Sequence, residues 1–316
     1  MKKTEVEVKS LTKKYGNVEA LKGISLKVGH GEIFGLVGPD GAGKTTLLKI
    51  LMGILSYDGG EVLIDGEDSR NYIERIRNKL GYISQNFSLY GDLTVEENID
   101  FFARLYPEAG DISRRKSQLL DFIGLDRFKD RLAANLSGGM KQKLALLCGL
   151  IHKPPIMIMD EPTTGIDPVS RREFWKIIFQ LQKDGLTVVS STPYMDEAEQ
   201  FNKLALIHKG EILKTGSADQ IRKSVPGQAI EVLCDKPIAS RRLLQKNKNV
   251  KDVELFGDKI HIFVEETDDE LREEITRILE ENGIKVGKAE IVGYSMEDVF
   301  LILTSPDGAM GGVSPG

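Results

Sequence analysis

With 316 residues, the chain is longer than one typical domain and leaves room for a second, smaller one. Its 43 basic and 48 acidic residues give a net charge of −5, which argues against a dedicated nucleic-acid binder, since such proteins usually carry a basic face. The two cysteines do not indicate a disulfide framework. The longest apolar run, Leu144–Ile151, is far shorter than the about 20 residues of a membrane span, so we expect a cytoplasmic protein that reaches any membrane through a partner.

The amino-terminal part of the chain contains the pattern of a phosphate-binding loop. Short strand-like segments fill residues 1–32, and the apolar run Ile33–Val37 precedes the loop GPDGAGKTT, which the periodic apolar segment Leu47–Leu55 follows. Strand, glycine turn and helix start form the context that such a loop requires. The residues predicted to bind a nucleoside triphosphate are Gly38, Pro39, Asp40, Gly41, Ala42, Gly43, Lys44, Thr45 and Thr46.

The residue types in this loop suit the chemistry of phosphate binding. Backbone N–H groups must point at phosphate oxygens, and side chains at Gly38, Gly41 and Gly43 are expected to block that approach. Lys44 adds a positive charge for the outer phosphates, and the hydroxyl of Thr45 can bind Mg²⁺.

Residues 94–152 change to helical patterns and form an insertion. Thr94 and Glu97 have the spacing of a capping box, and Ser137 can cap a further helix that opens with Gly138 and Gly139. The two glycines leave that helix amino terminus open to an anion, although by themselves they indicate no more than a capped helix.

A buried strand then ends in two carboxylates. The apolar run Ile156–Met159 is followed by Asp160 and Glu161, at the position where a doubly wound sheet places its ligand. One carboxylate can hold Mg²⁺, and the other can orient an attacking water. Strands and helices alternate again afterwards, which predicts a doubly wound α/β core with a helical insertion over residues 1–224.

The carboxy-terminal part is predicted to be a separate unit. Over residues 228–304 the order of elements is βαββαβ followed by a short helix, which is typical of a ferredoxin-like α+β domain. Residues 305–316 are rich in glycine and proline, and we expect this tail to be disordered.

Taken together, these motifs resemble those of the ATP-binding cassette (ABC) ATPases over roughly residues 4–220. The loop GPDGAGKTT looks like the Walker A motif, LSGGM resembles the signature LSGGQ with its last residue changed, and IMIMDEP looks like the Walker B strand. The resemblance implies an ATPase core with an antiparallel β edge. It also implies that Glu161 is the catalytic glutamate and that Thr45, Gln85 and Asp160 hold Mg²⁺.

Other roles follow from the same resemblance. Gln85 matches the glutamine loop that also reaches the attacking water, and Tyr15 sits where the family stacks an aromatic ring on adenine, although edge-strand packing explains it equally well. Asp167 lies in the loop through which two cassettes communicate. Because ABC cassettes work as head-to-tail pairs, Ser137, Gly138 and Gly139 are expected to contact a nucleotide held by the partner cassette.

The resemblance also implies partners. A second cassette completes the site, as a homodimer or a heterodimer, and a transmembrane permease docks on the helical insertion and the segment 85–93. The carboxy-terminal unit is similar to the appendage of cassettes that serve drug, sodium or polysaccharide export. We therefore expect the ATP-hydrolysing subunit of an exporter, held on the inner face of the cell membrane by its permease. The alternatives are a soluble ABC ATPase and an ATP-sensing module with slow hydrolysis.

One residue departs from the family pattern. The family usually has a histidine that contacts the γ-phosphate after the strand that follows Walker B, whereas this chain has Pro193. Proline offers neither an imidazole nor a backbone N–H group. Three explanations are open. The site hydrolyses ATP slowly or relies wholly on Glu161, it is the degenerate half of a heterodimer, or Pro193 is tolerated because Glu161 does most of the work.

Overall fold

The computed structural model describes residues 4–70, 78–86, 89–106, 111–264 and 266–305. The chain divides into two compact units, Met1–Ser217 and Ala218–Gly316. The sequence places this boundary later, between residues 224 and 228. The helix Ala218–Lys223 belongs to the second unit, because it packs against the helix Met296–Thr304. Apart from Ser305, the predicted disordered tail lies outside the described residues.

The first unit combines two sheets. Its strands are, in chain order, β1 (Thr4–Tyr15), β2 (Val18–Gly29), β3 (Ile33–Val37), β4 (Gly59–Ile64), β5 (Glu67–Asp68), β6 (Leu80–Ile83), β7 (Ile156–Asp160), β8 (Thr187–Thr192), β9 (Lys203–His208) and β10 (Glu211–Gly216). Within the described residues, its α-helices are α1 (Lys44–Leu51), α2 (Val95–Arg104), α3 (Ile112–Ile123), α4 (Gly138–Leu150) and α5 (Pro168–Lys183).

The larger sheet carries the functional loops. Its strand order is β10-β9-β3-β8-β7-β6, with β10 antiparallel to β9 and every other pair parallel. Strands β3, β7 and β8 are buried along their whole length, which is expected where both faces of a parallel sheet are covered. The carboxyl ends of these three strands therefore meet at one edge, where the phosphate loop begins.

The smaller sheet is antiparallel, with the strand order β2-β1-β4-β5. Apolar side chains from both sheets and from α1 form one core, in which Leu47 and Leu51 of α1 are packed with Val6 and Val62. The α/β core predicted from the sequence is therefore present, with an antiparallel sheet beside it. Because α1 contributes Leu47, Leu48, Ile50 and Leu51 to this core, packing holds its first turn at the sheet edge.

The helical insertion contains α2, α3 and α4. The predicted capping box at the start of α2 is formed, since Thr94 Oγ1 accepts from Glu97 N at 3.1 Å and Glu97 Oε2 accepts from Thr94 N at 2.8 Å. Asp111 caps α3, and Ser137 caps α4. Side-chain caps satisfy the free N–H groups at these helix starts, which fixes where each helix begins.

The second unit has its own core. Its elements are α6 (Ala218–Lys223), β11 (Ala229–Cys234), α7 (Pro237–Leu244), β12 (Val250–Phe256), β13 (Lys259–Val264), α8 (Asp269–Glu281), β14 (Val286–Val292) and α9 (Met296–Thr304). The four strands pair antiparallel in the order β12-β13-β11-β14. Ile275 and Leu279 of α8 are buried together with Val232 and Ile262 of the sheet.

Candidate nucleotide site

The phosphate loop joins β3 to α1, and two of its glycines are required by neighbouring strands. A Cβ atom at Gly38 would lie 2.1 Å from the carbonyl oxygen of Ile207, and one at Gly43 would lie 2.7 Å from that of Ala20. At Gly41 there is open space, but its φ of +76° favours glycine. The expectation that side chains here would block phosphate is therefore incomplete, because packing against the sheet already excludes them at Gly38 and Gly43.

Lys44 is buried inside the loop, with only 4% of its surface exposed. Its ammonium group donates to the carbonyl oxygens of Gly38 at 2.7 Å and Pro39 at 3.0 Å. It also forms an ion pair of 3.1 Å with Glu161 Oε1, while Asp40 Oδ1 lies 3.9 Å away. The charge of Lys44 is thus held at the center of the loop, beside the predicted catalytic carboxylate.

Asp160 and Thr45 meet at the end of β7. Thr45 Oγ1 donates to Asp160 Oδ1 at 3.1 Å, and Ser191 Oγ donates to the same oxygen at 2.7 Å. Ser191 Oγ also accepts from the backbone N–H of Glu161 at 3.0 Å. The register of β7 against β8, which pairs Asp160 with Ser191, explains this contact. Sequence reasoning missed Ser191 as a site residue, because only strand pairing brings it there.

Glu161 has a strained backbone and, besides Lys44, two side-chain partners. Its φ is +49°, an uncommon conformation for a residue other than glycine and one that is frequent at functional sites. Gln85 Nε2 donates to Glu161 Oε2 at 3.0 Å, and Thr164 Oγ1 lies 3.4 Å from the same oxygen. The strands β6 and β7 are parallel neighbours, so Gln85 and Glu161 emerge at the same edge of the sheet.

Several of these residues line one cavity of about 510 Å³. Its walls include Asp40, Gly41, Gly43, Lys44, Thr45, Thr46, Gln85 and Glu161, together with residues that the sequence did not single out, namely Val18, Glu19, Ala20, Lys22, Lys209 and Gly210. The missed residues come from β2 and from the β9–β10 turn. No local motif marks them, because they reach the loop only through the fold.

The structure does not bring Tyr15 to this cavity. Tyr15 is 49% exposed at the end of β1, and the Lys13 ammonium group lies 5.5 Å from the center of its ring. Val18, which pairs with Tyr15 across the β1–β2 turn, does line the cavity. The adenine-stacking role of Tyr15 therefore stays a prediction.

The signature residues lie outside the lining of this cavity. Ser137 and Gly138 are exposed, and Ser137 Oγ accepts from Met140 N at 3.4 Å. Gly139 is buried, since a Cβ atom there would lie 2.6 Å from the Cβ of Ser170 on α5. The exposed start of α4 is thus free of the chain's own phosphate loop.

Asp167 caps the helix α5. Its Oδ1 accepts from Val169 N at 3.0 Å and from Ser170 N at 2.9 Å, and hydrogen bonds from Ser170 lower the pKa of this exposed carboxyl. Pro193 directly follows Thr192, whose carbonyl oxygen accepts from Gly38 N at 3.2 Å. Position 193 is therefore next to the phosphate loop, and none of the described residues lining the cavity is a histidine.

Along the part of the chain that the structure describes, no helix is both long enough and apolar enough to span a bilayer.

Comparisons with known proteins agree with this geometry. The family model described as "ABC transporter" matches residues 21–164. The chain is 41% identical over 220 residues to the "Probable multidrug ABC transporter ATP-binding protein YbhF" of Escherichia coli. The aligned region covers 69% of this chain and 38% of YbhF. It is 33% identical over 305 residues to the "Daunorubicin resistance ATP-binding protein DrrA2" of Streptomyces coeruleorubidus, covering 95% and 94% of the two chains.

A solved structure gives a similar result. The dimeric structure of MJ0796, described as a bacterial ABC transporter cassette, is similar at a TM-score of 0.61 and 29% identity. This similarity covers 67% of the present chain and 98% of the MJ0796 chain.

Proposed function

Because this chain belongs to the ATP-binding cassette (ABC) transporter family, we propose that it hydrolyses ATP to drive a separate transmembrane permease in export. The observation that carries the proposal is the convergence of Lys44, Thr45, Gln85 and Glu161 on one cavity, with Asp160 hydrogen-bonded to Thr45 beside it. The names of YbhF and DrrA2, which refer to multidrug transport and daunorubicin resistance, support export as the process.

The residues present fit a magnesium nucleotide. The hydroxyl of Thr45 and the carboxylate of Asp160 lie 3.1 Å apart, and such hard oxygen atoms are the ligands that Mg²⁺ prefers. Gly43 precedes α1 and offers no side chain to cap its first-turn N–H groups, so these can bind phosphate oxygens. Thr45, Asp160 and the amide oxygen of Gln85 would hold Mg²⁺, which would neutralise charge on the phosphates.

The ion pair between Lys44 and Glu161 suggests how binding prepares hydrolysis. A triphosphate competes with Glu161 for the Lys44 ammonium group, because both are anions within reach of the same buried charge. Once Lys44 turns to the phosphates, the carboxylate of Glu161 is free to accept a proton from the attacking water. Gln85, which already donates to Glu161, keeps that carboxylate oriented.

We also propose roles for the signature residues, for Asp167, for the helical insertion and for the second unit. Ser137, Gly138 and Gly139 contact the nucleotide of a partner cassette, either a second copy or a related chain, and Asp167 lies at the interface of the two. The exposed position of Ser137 and Gly138 and the dimeric MJ0796 cassette support this arrangement. The permease docks on the helical insertion and holds the protein at the inner face of the membrane. The strand order and helix placement of the second unit support a ferredoxin-like fold.

We further propose that hydrolysis is slow, because Pro193 supplies no group to the γ-phosphate and Glu161 must activate the water without that help.

The test measures binding and hydrolysis separately. Lys44→Ala should weaken Mg–ATP binding in calorimetry by about tenfold or more, since it removes the buried charge. Glu161→Gln should keep binding and lower phosphate release by about 10² to 10⁴, the usual contribution of a general base. Glu173→Gln, which makes the same change on the exposed face of α5, is the matched control. Absence of any heat of association, or equal rates for Glu161→Gln and the parent, would contradict the proposal.

A further inference from the structure

A second carboxylate, Glu197, is buried near the site without touching the cavity of the phosphate loop. It lies in the 3₁₀ helix Met195–Gln200 and is only 2% exposed. Its Oε1 accepts from Thr163 Oγ1 at 2.6 Å and from Trp175 Nε1 at 3.2 Å. Burying a carboxylate is costly unless donors are arranged around it, so this position is organised rather than incidental.

The two donors come from segments with separate tasks. Thr163 lies just after Glu161 in the chain, and Trp175 is on α5, the helix that Asp167 caps. Glu197 itself follows the segment that begins at Pro193. One carboxylate therefore joins the turn after the catalytic glutamate, the helix after the inter-cassette loop, and the turn after β8.

The side chain of Arg171 lies near Glu197, but its Nε is too far away for a hydrogen bond. Its Nε lies 4.0 Å from Glu197 Oε1, its Nη1 donates to Asp196 Oδ2 at 3.3 Å, and its guanidinium lies 4.7 Å from the ring center of Tyr194. Among the described residues, neither Arg171 Nε nor Glu197 Oε2 has a hydrogen-bond partner, although both atoms are buried. A small shift of α5 toward the 3₁₀ helix would bring this pair into contact.

Thr163 lies two residues after Glu161, so its position is coupled to that of the catalytic carboxylate. The chain turns sharply after Glu161, with Thr164 N donating to the Glu161 carbonyl at 3.2 Å and Thr164 Oγ1 at 3.4 Å from Glu161 Oε2. In such a tight turn, a displacement of Thr163 displaces the side chain of Glu161. A misplacement of about 1 Å in a catalytic group can lower the rate about a hundredfold.

We propose that Glu197 is a positioning residue, which fixes Glu161 through Thr163 and relays the position of α5 to it. The inference rests on the proposed function, since it concerns the carboxylate that activates the water. Glu197 itself makes no contact with the nucleotide. The role of Glu197 is to make the placement of Glu161 depend on the helix that starts at the inter-cassette loop.

The test replaces the hydroxyl of Thr163. Thr163→Val keeps the shape of the side chain and removes its donor, so kcat should fall about tenfold to a hundredfold while the Kd for ATP stays within about twofold. Thr163→Ser keeps the hydroxyl and should retain the parent kcat. Trp175→Phe removes the other donor, and kcat should again fall with an unchanged Kd, which provides a second readout should Thr163→Val fold poorly.

Thr187→Val is the matched control. Thr187 is also buried, its Oγ1 accepts from Gly31 N at 2.9 Å, and it lies at the opposite end of β8 from the site. Equal losses of kcat in Thr163→Val and Thr187→Val, or a Thr163→Ser variant as slow as Thr163→Val, would overturn the role of Glu197. The proposed function would not be affected. Equal rates for the parent and Glu161→Gln, measured first, would overturn the proposed function and this inference with it.

Discussion

Pro193 stands where the motif pattern of the ABC ATPases usually has a histidine. The backbone N–H group of Gly38 donates to the carbonyl oxygen of the preceding residue, Thr192, so position 193 lies next to the phosphate loop. Proline has no polar side-chain atom and no N–H group to offer there. In the proposed mechanism, the buried Glu161 is therefore the principal activating group on this side of the site.

Restoring an imidazole tests this consequence. Pro193→His should raise kcat by about a hundredfold, since one positioned contact to the transferring group is worth about 3 kcal/mol. Phosphate release under saturating Mg–ATP measures the effect. Pro193→Ala removes the ring without adding a donor side chain and should stay near the parent rate. A Pro193→His variant no faster than the parent would show that the substitution is tolerated.

At the scale of secondary-structure elements, the contact between α4 and α5 depends on one glycine. Gly139 lies against Ser170, and a Cβ atom there would be 2.6 Å from the Cβ of Ser170. The neighbouring Gly138 is exposed, and a Cβ atom on it would lie 3.4 Å from Ile166 Cγ2. The two glycines of LSGGM thus have different structural requirements, although the motif presents them as a pair.

Alanine substitutions separate these requirements. Gly139→Ala should lower the free energy of unfolding by about 1–3 kcal/mol, the usual cost of overpacking. Gly138→Ala should keep or raise stability, by up to about 1 kcal/mol, because alanine favours the helix and its side chain has space. Urea unfolding of the first unit, followed by the fluorescence of Trp175, measures both. Equal destabilisation by the two variants would contradict the distinction.

At the scale of the whole molecule, each of the two units has its own core, and the second contains a buried ionic contact. His261 Nδ1 lies 2.9 Å from Asp298 Oδ1, and His261 Nε2 lies 3.2 Å from Glu231 Oε2. Burial lowers the pKa of His261, but the hydrogen bonds and charges of Asp298 and Glu231 outweigh it and raise the pKa. Lys259, which pairs with Glu231, also faces this group. A protonated His261 can donate to both carboxylates, and so it ties β13 to the start of α9.

The raised pKa predicts how the second unit responds to pH. Since the folded-state pKa lies above the unfolded value of 6.5, the stabilisation is complete below pH 6.5 and is lost as pH rises through the folded-state pKa. At pH 6, His261→Gln should therefore destabilise the unit by about 1–3 kcal/mol, the range for hydrogen bonds to charged groups. Hydrogen exchange over α9 measures the change. A difference between variant and parent that stays constant from pH 6 to pH 9 would contradict it.

The phosphate loop, the strand that ends in Asp160 and Glu161, and the caps at Thr94 and Ser137 could all be predicted from the sequence. These features are local, because glycine turns, capping residues and apolar runs act on backbone that is contiguous with them. The family could be identified for the same reason, since its motifs are short and ordered along the chain. The α/β character of the first unit followed from the alternation of apolar runs.

The distant residues that complete the site could not be predicted in this way, because folding alone brings them together. Ser191 reaches Asp160 through strand register, the cavity takes Val18 and Lys209 from two hairpins, and Glu197 meets Thr163. The structure also shows that neighbouring strands leave no space for side chains at Gly38 and Gly43. It groups the residues from Ala218 onward with the second unit. Contacts between residues far apart in the chain depend on register and packing, which are properties of the assembled sheets and helices and leave no periodic mark on either segment.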